Sequence, residues 1–168
     1  RKPDLLEEKN WFFRLGTFLP EVRRRIESDE LRISPVERKN EVLGLLGSPT
    51  LNSQLSTFNS VGIADFSISR PVERVPWAIP LPFDSSQTCY VWVDALLNYV
   101  TALGYGRESS QLTAQSSKLS KYWPADLHLI GQDILKFHAV YWLALLLALD
   151  LPLPKEIFVH GLFTVNGQ

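Results

Sequence analysis

The chain has 168 residues, 45% of them hydrophobic and 21% charged, a composition typical of a soluble folded domain. Its net charge of −1 excludes a general attraction to nucleic acid, so any such contact needs a local patch. The single cysteine, Cys89, excludes an internal disulfide and a cysteine-rich zinc site, and favours a reducing compartment. The longest apolar run, 139–149, is shorter than the roughly 20 residues that cross a membrane.

Apolar residues near the start of the chain recur at helical spacing. They are Leu5, Leu6, Trp11, Phe12, Leu15 and Leu19. Because proline breaks helix interiors, we expect this first helix to end at Pro20 and a second helix to cover 21–28. Three arginines, 23–25, lie among acidic residues of the second helix. They predict a solvated mixed-charge face, with contact to RNA phosphates as the alternative.

A third helix is predicted from its boundary signals. Residues 34–37 (SPVE) have the spacing of a capping box with proline at the first helical position, and we expect the helix to run through Leu46 and to be closed by Gly47. The serine- and asparagine-rich residues 48–60 then predict a loop and a domain boundary. A second polar stretch, 108–120, predicts a solvated insertion loop.

The middle of the chain is typical of strands. Residues 66–69 and 77–81 predict short strands interrupted by prolines. Residues 89–93 (CYVWV) predict a longer strand, because they are aromatic and β-branched. Asp94 is expected to cap a helix that follows this strand and runs to about Leu103.

The last 45 residues give the clearest pattern. An apolar strand at 127–130 precedes a helix over 133–149, and a further strand follows at 157–159. Strands and helices alternating at this spacing predict a parallel sheet, whose ligands bind beyond the carboxyl ends of the strands. Those ends lie at Asp94, Gly131 and Gly161. Three strands cannot bury both faces of a sheet well, so we expect partner strands elsewhere.

Several aromatic side chains are predicted to meet at this edge. Ile134, His138 and Trp142 are spaced by four and share one face of the predicted helix. Trp92 and Tyr99 come from the preceding strand and helix. The set describes either an ordinary buried core or a pocket for a flexible thioether, which gains from contact between sulfur and aromatic rings. Spacing alone leaves both interpretations open.

Polar candidates are fewer. Gly131 and Asp133 lie at the start of the long helix. A carboxylate there is either stabilised by the helix dipole or binds ribose hydroxyls. Arg70 is either a surface residue or a clamp for a carboxylate or phosphate. The sequence contains no GxGxxG motif, P-loop, zinc spacing or GxSxG elbow. We therefore expect no covalent catalysis from this segment.

Six segments, taken in order, carry a resemblance to a known family. They are 8–15 (EKNWFFRL), 65–70 (DFSISR), 90–99 (YVWVDALLNY), 123–142 (WPADLHLIGQDILKFHAVYW), 158–161 (FVHG) and 164–167 (TVNG). Together they resemble methionyl-tRNA synthetases. The resemblance covers nearly the whole chain, and the linked motifs make it far more specific than any one of them.

The resemblance implies a class I synthetase whose Rossmann domain is interrupted by a connective insertion. Residues 1–56 are similar to the helical end of that insertion, and residues 57–168 to the second half of the Rossmann domain. The family's HIGH motif is absent, and its KMSKS loop would follow Gln168. The chain has no methionine and ends in a polar turn after an apolar strand. We therefore expect an internal fragment that is inactive by itself.

The resemblance also implies roles for particular residues. Arg70 is expected to position the reacting groups. The methionine pocket is expected to be lined by Trp92, Ala95, Leu96, Tyr99, Ile134, His138 and Trp142. The ATP or adenylate site is expected to include Gly131, Asp133, His160 and Gly161. Gln132 departs from the family, which commonly has lysine there.

The implied activity is that of a methionine–tRNA ligase, which activates methionine with ATP and transfers it to tRNA(Met). Its expected partners are methionine, ATP as the Mg²⁺ complex and tRNA(Met), with no bound metal, DNA or membrane. Two alternatives stay open: a class I synthetase for leucine, isoleucine or valine, and a noncatalytic binding relic of a synthetase. The mitochondrial matrix is slightly preferred over the cytoplasm as the compartment.

Overall fold

The computed structural model describes three ranges of the chain. They are residues 7–47, 65–106 and 118–162. The loop predicted at 48–60, with the predicted domain boundary, lies outside these ranges, as does most of the loop predicted at 108–120. The last three residues of that second prediction are helical, in a short segment over 118–122.

A three-stranded parallel sheet carries the end of the chain. Its strands are β2 (Arg32–Ser34), β7 (His128–Gly131) and β8 (Glu156–His160), in the order β2-β8-β7. Two of these are strands that the sequence predicts. The third, β2, lies between the second and third predicted helices, and its Ile33 is buried against the core. Three residues are too few to show the alternation by which a strand is recognised.

A long helical segment, 132–148, connects β7 to β8 and confirms the helix predicted at 133–149. It begins with a 3₁₀ turn (Gln132–Ile134), widens into a π-helical stretch (Phe137–Trp142) and ends as α-helix (Leu143–Ala148). All residues from 138 to 146 are buried. π-Helical turns are rare and are frequent at functional sites.

The predicted first helix is wrong. Residues 7–11 are irregular, β1 (Phe12–Phe13) is a strand, and a 3₁₀ turn (Leu15–Thr17) follows. The first α-helix, α1 (Leu19–Glu27), contains Pro20 in its first turn. Proline is tolerated there because the first amides of a helix have no helical acceptor. Pro20 therefore begins a helix where the sequence predicted an end.

The capping box predicted at 34–37 is also not formed. Helix α2 (Val36–Leu45) begins after Pro35 without a side-chain cap. Ser34 is the last residue of β2, and its hydroxyl donates a hydrogen bond of 2.8 Å to the carboxylate of Glu156 on β8. The predicted end of the helix is confirmed, since Gly47 has a φ of +72°, the left-handed conformation that glycine adopts readily.

A second sheet is antiparallel. It contains β4 (Ser69–Pro71), β5 (Pro80–Leu81) and β6 (Asp84–Cys89), in the order β4-β6-β5. A separate two-stranded ladder joins β1 to β3 (Phe66–Ser67). The strand predicted at 66–69 is thus divided between β3 and the start of β4, and the strand predicted at 77–81 is shortened to β5.

The strand predicted at 89–93 is wrong. Its residues divide between the end of β6 at Cys89 and the first turn of helix α3 (Val91–Thr101), so Asp94 lies inside the helix and not at its cap. β-Branched and aromatic residues favour strands, but tertiary packing overrides that preference. Here α3 packs against the π-helical stretch, and Leu96 and Val100 are buried.

One hydrophobic core joins these elements. Helix α1 packs against the α-helical end at Leu143–Ala148, and α2 packs beside β2. Trp142, Leu143 and Leu146 are fully buried at the centre of the core. Within the described ranges, no helix has the length and apolar character needed to cross a membrane.

Candidate functional site

Five aromatic and imidazole rings form a cluster between β7 and the helices. Its members, which we call the ring cluster, are Tyr99, Trp123, His128, His138 and Trp142. The centroid of the Tyr99 ring lies 4.6 Å from that of His128, 5.8 Å from that of His138 and 5.7 Å from that of Trp142. Trp123 lies 5.7 Å from Trp142. Helix α3, strand β7 and the π-helical stretch therefore all contribute rings to the same cluster.

Hydrogen bonds fix the tautomers of the two histidines. The Nδ1 of His138 lies 3.1 Å from the carbonyl oxygen of Ile134, which can only accept, so Nδ1 carries the proton. In the neutral ring Nε2 then accepts from the Tyr99 hydroxyl at 3.0 Å. The indole N–H of Trp142 donates to Nε2 of His128 at 3.2 Å. Both imidazoles thus serve as acceptors inside the cluster.

The ring cluster is uncharged at neutral pH. Burial, and secondarily the neighbouring His138, lower the pKa of His128 to about 4. Burial also lowers the pKa of His138, although its bond to the Ile134 carbonyl opposes the shift. Burial raises the pKa of the Tyr99 hydroxyl. The environment that these groups form suits a neutral, polarisable side chain.

The other predicted pocket residues have different surroundings. The Trp92 ring stacks on Phe137, with centroids 3.7 Å apart and planes at 13°. Among the ring contacts of the described ranges, none joins Trp92 to the ring cluster. Ile134 is partly buried against the core, Leu96 is fully buried and Ala95 is exposed. The structure thus brings Tyr99, His138 and Trp142 together, with Trp92 on an adjacent ring pair.

The predicted nucleotide residues meet at the carboxyl edge of the parallel sheet. Gly131 on β7 is paired in register with His160 on β8. A Cβ atom built on Gly131 would lie 2.5 Å from a carboxylate oxygen of Asp133 and 3.6 Å from the His160 ring. A Cβ atom on Gly161 would meet only open space. Gly131 therefore leaves room for the Asp133 carboxylate, which is exposed beyond the sheet.

Arg70 lies elsewhere, on β4 of the antiparallel sheet. Its guanidinium donates to the hydroxyl of Ser67 and the carbonyl of Ser69, both at 2.6 Å, and lies 3.9 Å from the centre of the Tyr90 ring. It lines a cavity of about 490 Å³, together with Arg74 and the first turn of α3 at Val91. The ring cluster is not part of that lining.

Helix α3 connects the two places. Val91 and Asp94 in its first turn line the cavity, and Tyr99 joins the ring cluster. Val91 and Tyr99 are separated by about 12 Å along the helix axis at 1.5 Å per residue. A ligand that reaches both places is therefore elongated, with an anionic part near Arg70 and an uncharged part near Tyr99.

Comparison with known proteins identifies the family. A family model described as tRNA synthetases class I (M) matches residues 1–168. The chain belongs to this family. Two curated relatives of the chain are the methionine–tRNA ligases of Clostridium acetobutylicum, 41% identical over 99% of the chain, and of a Synechocystis species, 43% identical over 100%.

A solved structure agrees with this assignment. The Mycobacterium tuberculosis methionyl-tRNA synthetase bound by methionyl-adenylate superimposes on 93% of the chain with a TM-score of 0.75 at 37% identity. The likeness confirms the predicted α/β class with a Rossmann-type parallel sheet. The chain spans 23% and 28% of the two curated relatives and 27% of the solved one, about a quarter of their length.

Sequence reasoning missed three residues of the site. His128 was assigned only to a strand, although its alternation with buried Ile130 would have predicted an inward side chain. Trp123 precedes the strand without a regular pattern, and its indole donates to the carbonyl of Pro152. Arg38 on α2 donates to the Gln132 side chain at 2.7 Å, and no sequence signal indicates that contact.

Proposed function

We propose that the protein to which this sequence belongs is a methionine–tRNA ligase. It activates methionine with ATP to methionyl-adenylate and transfers the methionyl group to tRNA(Met). Three findings support the proposal: the family, relatives carrying that name at about 40% identity, and a structural relative bound by methionyl-adenylate. The observation that carries it within this chain is the neutral ring cluster around Tyr99, His138 and Trp142.

The pocket chemistry favours methionine over aliphatic amino acids. A thioether is uncharged and polarisable, and it gains from contact with aromatic ring edges. Tyr99, which is 37% exposed, offers such a contact, and the fully buried Trp142 packs behind it, while the acceptor positions of both imidazoles are already taken by protein donors. A branched aliphatic substrate gains nothing specific from this ring set. These contacts favour methionine over leucine, isoleucine or valine.

Activation needs no covalent bond to the protein. One carboxylate oxygen of methionine attacks the α-phosphorus of ATP, the bond to the bridging oxygen breaks, and pyrophosphate leaves with that oxygen. Mg²⁺ accompanies ATP as its complex. In this scheme Arg70 holds the anionic groups by its fork of N–H donors, and Asp133 accepts hydrogen bonds from the ribose. Catalysis rests on positioning and charge stabilisation.

The edge at Gly131 is proposed to bind the adenosine part of the adenylate. The missing Cβ of Gly131 allows the Asp133 carboxylate to sit against the strand end, with His160 opposite. Gly161 continues the same edge on β8. For Ala95 and Leu96 the proposed role is to line the α3 side of the methionine pocket.

The test is ATP–pyrophosphate exchange by the full-length gene product with single amino acids. Methionine is expected to support exchange at least about a hundredfold faster than leucine, isoleucine or valine. The protein is also expected to charge tRNA(Met). Exchange with one of the aliphatic amino acids instead would assign a different class I synthetase. A folded protein that binds RNA but supports no exchange would favour the noncatalytic alternative.

Two further points stay proposals. The 168-residue chain alone is expected to support little or no exchange, because it spans about a quarter of its relatives and most phosphate contacts would lie in the remainder. Exchange by the purified chain would contradict this. For the compartment, the mitochondrial matrix gains no support over the cytoplasm, since the curated relatives named above are bacterial.

A further inference from the structure

His128 is buried, titratable and not used by the proposed chemistry. It is the first residue of β7, and its side chain is 5% exposed. Its ring lies against three members of the predicted methionine pocket: Tyr99 at 4.6 Å, His138 at 6.1 Å, and Trp142 through a hydrogen bond of 3.2 Å. A buried imidazole in such a position calls for a physical explanation.

The bond to Trp142 has only one possible direction. Indole nitrogen is a donor without acceptor capacity, so Nε2 of His128 must present its lone pair. Trp142 is fully buried, and without this acceptor its N–H would have to be buried unpaired or to turn elsewhere. The acceptor therefore selects one orientation of the indole, and with it the face that Trp142 presents to Tyr99.

Trp142 has other neighbours, but these contacts are apolar. Trp123 meets its ring edge-on at 5.7 Å, with planes at 72°, while the indole N–H of Trp123 is bonded to the Pro152 carbonyl. Edge-on contacts tolerate rotation of either ring, whereas a hydrogen bond defines a direction. The histidine is thus the directional contact among the rings that surround Trp142.

We propose that His128 is a positioning residue of the methionine pocket: its unprotonated imidazole accepts the indole N–H of Trp142 and thereby sets the ring face against which Tyr99, the exposed ring of the pocket, packs. The inference rests on the proposed function. His128 itself touches no substrate in this scheme and acts through Trp142. Substitution is therefore expected to change the KM for methionine much more than kcat.

The experiment compares two substitutions in the full-length protein by pyrophosphate exchange. His128→Phe keeps a ring of similar size but removes the acceptor, and it is expected to raise the KM for methionine roughly tenfold with kcat within about twofold. His128→Gln supplies an amide oxygen as acceptor, and it is expected to keep the KM within about threefold of the unsubstituted value. The KM for ATP serves as internal control and should not move.

A double-mutant cycle with Trp142→Phe tests whether the effect passes through the indole. Once the donor is gone, His128→Phe is expected to add less than about twofold to the KM. If His128→Phe does not fold, the cycle uses His128→Leu, and the indole N–H resonance of Trp142 in the His128→Gln protein reports whether the bond persists. A resonance shifted to the position of a free indole with an unchanged KM would overturn the proposal.

Three outcomes are distinguishable. Equal KM values for the Phe and Gln variants, whether raised or unchanged, would show that the acceptor is irrelevant and would overturn the inference alone. Additive effects of His128→Phe and Trp142→Phe would do the same. Absence of methionine-dependent exchange in the unsubstituted protein would instead refute the proposed function, and the positioning role with it.

Discussion

The hydroxyl of Tyr99 donates a hydrogen bond of 3.0 Å to Nε2 of His138, a residue 39 positions later in the chain. The bond joins helix α3 to the π-helical stretch. It forms only while His138 is neutral and protonated on Nδ1, a tautomer fixed by the Ile134 carbonyl. The contact therefore depends on the packing of α3 against the π-helical stretch, on the protonation state of His138 and on the orientation of both rings.

Removing that hydroxyl is expected to weaken methionine binding. Tyr99→Phe leaves Nε2 of His138 without its donor, which costs on the order of 1 kcal/mol and corresponds to a KM for methionine about five to ten times higher. The KM is measured by pyrophosphate exchange with the full-length protein. Tyr122→Phe is the matched control, because Tyr122 is 55% exposed and lies outside the ring cluster. Equal effects of both substitutions would contradict the role of Tyr99.

Acid is expected to destabilise the protein in a window set by His128. The pKa of His128 is about 4 in the fold against 6.5 for the free side chain, so the unfolded chain takes up a proton first as the pH falls. The contribution of neutral His128 to the stability of the fold is complete above pH 6.5 and is lost progressively towards pH 4. Between pH 7 and pH 5 this amounts to about 2 kcal/mol, measured by urea unfolding.

The control for this prediction is His128→Gln, which cannot titrate. It is expected to lose most of the pH dependence between pH 7 and pH 5, with a smaller part remaining from His138, whose pKa is lowered in the same direction. The Glu21 carboxylate titrates at lower pH, because hydrogen bonds from Arg24 and Arg25 lower its pKa to about 2. An unchanged slope in the variant would show that His128 is not the group responsible.

Adding a methyl group at Gly131 is expected to weaken ATP binding without unfolding the protein. The new Cβ would displace the flexible end of the exposed Asp133 side chain, so the stability cost should stay below about 1 kcal/mol while the KM for ATP rises several-fold. Gly44→Ala on α2 is the matched control, because open space surrounds that position and it lies outside the proposed adenosine edge. Thermal unfolding and the two KM values check the prediction. A KM for ATP that rises equally in both variants would contradict it.

Replacing Arg70 by lysine is expected to slow adenylate formation at least about tenfold, because an ammonium group lacks the planar fork that two serine oxygens now orient. Arg74→Lys is the control, since Arg74 lines the same cavity but is paired with Glu8 at 2.7 Å. Single-turnover kinetics measures the adenylation rate. A slower adenylation rate for Arg74→Lys than for Arg70→Lys would contradict the prediction, because Arg74 would then be the arginine that holds the anionic groups.

The sequence predicted the end of the fold better than its beginning. Residues 127–159 alternate between strand and helix with strong periodicity, and the structure reproduces them almost at the predicted boundaries. Pro20, Ser34 and the 89–93 strand were misassigned because each local signal permits two structures. Proline both ends and begins helices, and Ser34 found a partner in Glu156, 122 positions away. Such long-range partners leave no local trace.

Helical spacing predicted part of the candidate site. The interval of four placed His138 and Trp142 on one side of the helix, and Tyr99 meets both. The spacing did not predict that Trp92 stacks on Phe137, because that contact depends on where α3 begins. Nor did it predict His128, whose role depends on the direction of one indole N–H.

A structure of the full-length protein with a nonhydrolysable methionyl-adenylate analogue would show directly whether the ring cluster binds the methionine side chain. We expect the thioether sulfur to lie within about 4–5 Å of the Tyr99 ring, with the adenosine at the Gly131 edge. A sulfur bound instead in the cavity beside Trp77, with the ring cluster unchanged and empty of ligand, would contradict it.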